Sequence, residues 1–247
     1  MRLWKSWIIA SKDFKVFMKK KNILYSILVV PFLVSFLLPA LISYLEHRGA
    51  KPISEAELTM LLPAFAFVYL ILAGFIPTTI ASYTIVGEKL EKSLERLLAT
   101  PTTDGEILLG KGIAAFLPPI ACVLGGATIF MVLMDLVTSG TLGYNFFPNL
   151  NAAILLFVMV PFAAIMSVEW NVIVSARVSD VRIAQQVGTV VILPFVGIYL
   201  AGELNLISLG TTNDLLIIAG ILVVVDLLLL FVAKATFRRE EILTKWK

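Results

Sequence analysis

With 247 residues, 59% of them hydrophobic and only 15% charged, and a mean hydropathy of +0.95, the chain is far more apolar than a water-soluble domain. That composition excludes an ordinary soluble enzyme and implies an integral membrane protein. The net charge of +3 does not call for a nucleic-acid partner, and one cysteine (Cys122, inside an apolar stretch) with one histidine (His47) leaves no basis for a disulfide or a metal site.

At the start of the chain Leu3, Trp4, Trp7, Ile8, Phe14, Phe17 and Met18 recur with helical spacing, while Lys5, Lys12, Lys15 and Lys19 to Lys21 fill the intervening positions. This pattern predicts an amphipathic helix over residues 1–22 lying in the membrane interface, rather than the continuous apolar run of a cleaved signal. Stretches able to cross a core of ~30 Å need about 20 apolar residues. Six are present, near Ile23 to Leu45, Thr59 to Val86, Ile107 to Val137, Ala152 to Val174, Ile183 to Ala201 and Leu215 to Ala233.

The first span carries Pro31 and Pro39, which kink a helix unless neighbours satisfy the freed carbonyls. Ser54, Glu55 and Glu57 have capping-box spacing at the start of the second. Near the end of that span Thr78, Thr79, Ser82 and Tyr83 form a polar patch, whose hydroxyls are expected to bond back to their own helix.

Residues 87–111 form the only long charged stretch between spans. On a helix, Leu90, Leu94, Leu97 and Leu98 occupy one arc, Glu88, Glu91 and Glu95 the next, and Lys89, Lys92 and Arg96 a third. A stop at Pro101 ends it, so residues 87–101 read as a short helix lying flat outside the bilayer, placed for a soluble partner to grip. Gly105, Gly110 and Lys111 have the spacing of a phosphate-binding loop, but Gly112 stands where Ser or Thr would hold magnesium, no strand precedes and a span follows. Nucleotide binding is therefore assigned elsewhere.

In the third span Pro118, Pro119, Gly125 and Gly126 are expected to bend the helix and let a neighbour approach, and Asp135 marks its outer end. Glu169 falls about 25 Å into the fourth span at a rise of ~1.5 Å per residue, close to the inner boundary and within reach of Arg177 or Arg182. Asp226 falls near mid-membrane, where a carboxylate costs roughly 2.5–3.5 kcal/mol on insertion scales, so it must face protein or water. Both residues are candidate intramembrane polar sites.

Eighteen of the twenty Lys and Arg residues fall in the N-terminal segment, the 87–112 loop, the 175–182 loop and the segment from Lys234 onwards, leaving Arg48 and Lys51 for the other side. The positive-inside rule then predicts that both ends, including a tail at 235–247, are cytoplasmic in the plasma membrane.

The charged loop resembles the permease subunits of type-two ATP-binding-cassette (ABC) exporters. Leu94, Glu95, Leu97, Leu98, Thr100, Pro101, Ile107, Leu108, Gly110 and Lys111 match the family's Leu-Glu-x-Leu-Leu-x-Thr-Pro and Ile-Leu-x-Gly-Lys signature. Lys92 stands where the family often has Gly, and Leu90 where a charge is common. Ser175, Arg177, Ala184, Gln185, Gln186 and Pro194, and the run from Phe237 to Leu243, are also similar to the family, whereas residues 202–212 lack its Ser-Gly and Pro-rich outer motif.

The resemblance implies a single all-α permease domain of six transmembrane helices with an N-terminal elbow helix, working as a homodimer or with a related permease. Residues 87–101 would be a cytoplasmic coupling helix, with Glu88, Glu91, Leu94, Glu95, Leu97, Leu98 and Pro101 contacting a separate ATPase subunit. ATP and magnesium would be bound by that partner, and this chain would bind no cofactor and catalyse no reaction. A different class, a secondary transporter driven by a proton or cation gradient, would use Asp226 and Glu169 instead.

Overall fold

The computed structural model describes residues 3–47, 55–90, 100, 102–204, 206, 209 and 211–236. Among them every regular element is helical, and six helices are long and apolar enough to cross a membrane. An amphipathic helix, α1 (Leu3–Lys19), is followed after Lys20 by α2 (Lys21–His47). Helix α3 begins at Glu55–Ser82 and runs through a π-helical turn, Tyr83–Gly87, into Glu88–Leu90. The next helix among the described residues is α4 (Asp104–Leu142). Helix α5 (Leu150–Arg177) contains a second π-helical turn, Leu155–Met159, α6 (Val181–Glu203) a 3-10 turn, Thr189–Val191, and α7 is Thr212–Thr236. The membrane-crossing helices α2 to α7 coincide with the six expected spans.

The lengths follow from elementary chemistry. Lipid offers no hydrogen-bond partner, so a spanning segment must close its backbone bonds internally, and at ~1.5 Å per residue the six helices are long enough to do so across the core. Proline within them removes bonds locally. The π-helical turn Leu155–Met159 ends two residues before Pro161, where a wider turn accommodates the missing N–H.

Helix α3 lies at the centre, packed on α4, α5 and α6, while α2 packs on α4 and α7 on α5. Its Phe67, Tyr69, Leu70, Ile76, Ile80 and Ile85 are buried. The outer helices instead present large apolar side chains, Leu33, Phe36 and Leu37 on α2 and Ile217, Ile221, Leu228 and Phe231 on α7. Exposed apolar surface on this scale is the face a protein turns to lipid.

Helices meet where a side chain is missing. A Cβ on Gly126 would sit 3.0 Å from Ser35 Oγ and 3.1 Å from the Pro31 carbonyl, and at this crossing Ser35 Oγ lies 2.7 Å from the carbonyls of both Pro31 and Gly126 and 2.9 Å from Tyr69 OH. The neighbouring Gly125 meets nothing within 4 Å, so only one glycine of the pair makes the close approach. At the far end of α4, Asp135 accepts from the amides of Phe146 (2.9 Å) and Phe147 (3.0 Å), holding the turn into α5. The hydroxyl of Thr212 then donates to Asn151 at 2.7 Å, tying the starts of α5 and α7 together.

Candidate functional site

The basic ends of the spans converge with α1 around one lysine. Helix α1 crosses α4 at Gly110, where a Cβ would come within 2.7 Å of the Ser6 carbonyl and 2.8 Å of Ile9 Cβ, so only a glycine admits the contact. The face of α1 that is buried there is Ser6, Ile9, Ala10, Asp13 and Phe17. Leu3, Trp4, Trp7, Ile8 and Met18 remain exposed, so most of the periodic apolar residues lie on the outer side, while Phe14 and Phe17 pack on the core together with a partly polar stripe that includes Ser6, Ala10 and Asp13.

Lys111 follows Gly110 directly and is 1% exposed. Its Nζ donates to the carbonyl of Thr84 and to Glu88 Oε2 and lies 3.7 Å from Asp13 Oδ2. Thr84 belongs to the π-helical turn of α3, and such turns rearrange the regular ladder and present carbonyls to other donors. Glu88 accepts a further bond at 2.7 Å from Lys12 on α1. Burial holds the Asp13 carboxyl above the usual carboxylate range, against the pull of Lys111. Two carboxylates and two lysines thus join α1, the end of α3 and the start of α4.

The next residue, Lys89, is bound on the opposite side. Its buried Nζ donates to the carbonyls of Ser175 (2.6 Å), Ala176 (3.3 Å) and Val178 (3.4 Å). These are carbonyls at the C-terminus of α5, where unsatisfied acceptors and the helix dipole both favour a cation. Across the loop, Thr103 caps α4: its hydroxyl accepts from the Glu106 amide at 3.3 Å while Glu106 Oε2 accepts from the Thr103 amide at 3.0 Å. The loop is fastened at both of its roots.

Behind this node, Asn171 on α5 accepts from the hydroxyls of Ser82 and Ser175, each at 3.0 Å, and donates to the Thr78 carbonyl at 3.3 Å. A Cβ at Gly188 of α6 would collide with the Asn171 amide. Thr78, Thr79 and Ser82 also bond back to Phe75, Ile76 and Thr78, as the polar patch in the second span predicts.

Of the residues assigned to the coupling face, Glu88 is described, and its carboxylate is engaged within the chain by Lys111 and Lys12. Glu91, Leu94, Glu95, Leu97, Leu98 and Pro101 lie outside the described residues, as do Ser54 and the 237–247 segment. Glu169 is buried on α5 and turned toward α7, where Asp226 and Lys234 act on it electrostatically, rather than pairing with Arg177 or Arg182. Asp226 is 5% exposed, with no hydrogen bond to either carboxylate oxygen among the described residues.

Asp13 and Asn171 were not singled out from sequence. Neither stands in a motif, and each acquires its role from residues far away in the chain. The Thr103–Glu106 box was not singled out either, although Thr-x-x-Glu opening an apolar run is the signal that marks one.

No individual curated protein matches the chain. The profile of the ABC-2 family transporter proteins matches residues 7–231, from within α1 almost to the end of α7. That match takes in Gly110, the lysine node and the six spanning helices up to Phe231 of the last, and it does not favour a gradient-driven secondary transporter. A multi-pass helical chain whose whole membrane region fits this profile belongs to the ABC-2 family of transporter proteins.

Proposed function

We propose that this chain is the membrane-spanning permease subunit of an ATP-driven exporter, and that residues 87–101 dock on a separate cytoplasmic ATPase subunit. The observation that carries the reading is the fastening of the loop's first root. Glu88 is tied to α1 and α4 and Lys89 to the end of α5, so a displacement of the segment between them and Thr103 is delivered to three helices together. A lever needs a stiff attachment, and buried charge-assisted bonds supply one.

In this reading Leu94, Leu97 and Leu98 fill an apolar groove in the ATPase, and Glu91 and Glu95 meet basic residues at its rim. Glu88 serves as an internal anchor. ATP and magnesium are handled by the partner, while this chain forms the path with a second copy or a related permease. Export direction, plasma-membrane placement and cytoplasmic ends follow the resemblance and the distribution of lysine and arginine.

Recovery of the ATPase with the permease tests the docking. Replacing Leu94 and Leu98 by Ala removes apolar contact worth on the order of 1.5–3 kcal/mol per leucine and is expected to release the ATPase without affecting membrane insertion. Equal recovery and equal ATPase stimulation by wild type and variant would overturn the assignment.

A further inference from the structure

Between α4, α5 and α7, at the basic end of the spans, lies a partly open cavity of about 340 Å³. It falls at the small end of the roughly 300–1,000 Å³ typical of ligand pockets. Its walls are almost wholly apolar, with Leu108 and Phe116 from α4, Val172 from α5 and Leu230 from α7. Two charged side chains line it, Glu169 and Lys234.

Glu169 is 8% exposed, and its Oε2 has no hydrogen-bond partner among the described residues. Asp226 and Lys234 are two helical turns apart on α7 and so share a face, and both act on Glu169 electrostatically. Asp226 likewise leaves both oxygens unbonded. A carboxylate buried without donors in a low-dielectric site is costly. The cavity wall thus carries a buried carboxyl with an unfilled acceptor oxygen, Glu169, beside one ammonium, Lys234, with a second such carboxyl, Asp226, on the same helix as Lys234.

We propose that this cavity is a binding site for a monocationic amphiphile, an amine on an extended apolar body, whose ammonium pairs with Glu169 while the body lies among Leu108, Phe116, Val172 and Leu230. Charge decides between amphiphiles. An ammonium supplies both the donors that Glu169 Oε2 lacks and the opposite charge that favours an ionised carboxylate, whereas a zwitterionic phospholipid brings a phosphate along with its cation and an anion brings further negative charge. The cavity belongs to this chain alone, so the proposal does not depend on docking of an ATPase or on the direction of transport.

The test uses the full chain in phosphatidylcholine nanodiscs and, as probe, tetradecylamine carrying a mid-chain diazirine, with crosslinked peptides located by mass spectrometry. Saturable labelling is expected on α4, α5 and α7 around the cavity, competed by tetradecylamine but not by tetradecanol or phosphatidylethanolamine. Loss of a charge-assisted bond in Glu169→Gln is expected to weaken apparent affinity by about ten- to a hundredfold. Gly112→Leu provides a second variant that retains the carboxylate. Gly112 lines the cavity, and a Cβ there meets nothing nearer than Val168 Cγ1 at 4.0 Å, so the added side chain fills the hollow and labelling is expected to vanish with an unchanged size-exclusion profile.

Equal competition by tetradecanol, or wild-type labelling of Glu169→Gln, would overturn the proposal in favour of a merely apolar hollow. Competition by phosphatidylethanolamine would overturn it in favour of a lipid site. If Glu169→Gln does not fold, Gly112→Leu decides: persistent labelling at the cavity refutes the site.

Discussion

Lys111→Met is the most searching perturbation of the node at the basic end. The side chains are similar in length, so the change removes the ammonium while leaving little void. Lys111 donates to Glu88 and to the Thr84 carbonyl and faces Asp13 at 3.7 Å. After substitution Glu88 still accepts from Lys12, whose side chain is 51% exposed, and Asp13 loses the ammonium 3.7 Å from its Oδ2. Removing one partner from a buried ion pair costs about 3–5 kcal/mol, because the other charge is left uncompensated; the bond from Lys12 places the expectation toward the lower end. Neutralising the stranded acid as well, in Lys111→Met/Glu88→Gln, is expected to recover a large part of that loss, giving a coupling of about 1–3 kcal/mol. Denaturant titration of the purified permease in mixed micelles, followed by helicity, measures all three variants. A single-variant loss within ~0.5 kcal/mol, the range of an ordinary surface substitution, or strict additivity in the cycle, would mean that these charges do not act as one buried unit.

Gly110→Ala forces a Cβ to within 2.7 Å of the Ser6 carbonyl and is expected to cost about 1–3 kcal/mol as overpacking. Gly125→Ala, with nothing within 4 Å, is expected to leave thermal stability unchanged or raised; the same melt on both variants compares them. Asp135→Ala strands the amides of Phe146 and Phe147, and a loss of about 1–3 kcal/mol is expected together with faster hydrogen exchange at those two amides. Cysteines placed at Lys51 and Asn145 are expected to react with impermeant reagents from outside intact cells, and those at Lys92 and Lys245 only after permeabilisation; the opposite pattern would break the six-span topology.

The membrane class, the number of spans and the positions of their ends were legible in the sequence because each rests on a local property. An apolar run of about 20 residues has one way to satisfy its backbone in lipid, so Leu215 to Ala233 declares a span whatever surrounds it. The family signature was legible for a similar reason, being a short contiguous string around Leu94 to Lys111. What that string does physically was not. Gly110 reads as one small residue among many until α1 is laid across it, and Lys111 reads as a loop charge until Thr84, Glu88 and Asp13 surround it. Helix α1 shows the limit most sharply. Its periodic large apolar residues announce an amphipathic helix, but Leu3, Trp4, Trp7, Ile8 and Met18 are left outside, while the face that meets the protein mixes Ser6, Ala10 and Asp13 with Ile9 and Phe17, because the close backbone approach at Gly110 leaves little room for bulk. Asp226 could be recognised as costly from depth alone, whereas Glu169 read as a boundary charge within reach of Arg177 or Arg182. That α5 and α7 place Glu169 and Lys234 in the wall of one apolar cavity, with Asp226 in electrostatic reach of Glu169, is a relation between distant residues, and periodicity within a helix carries no information about which neighbour its polar face will meet.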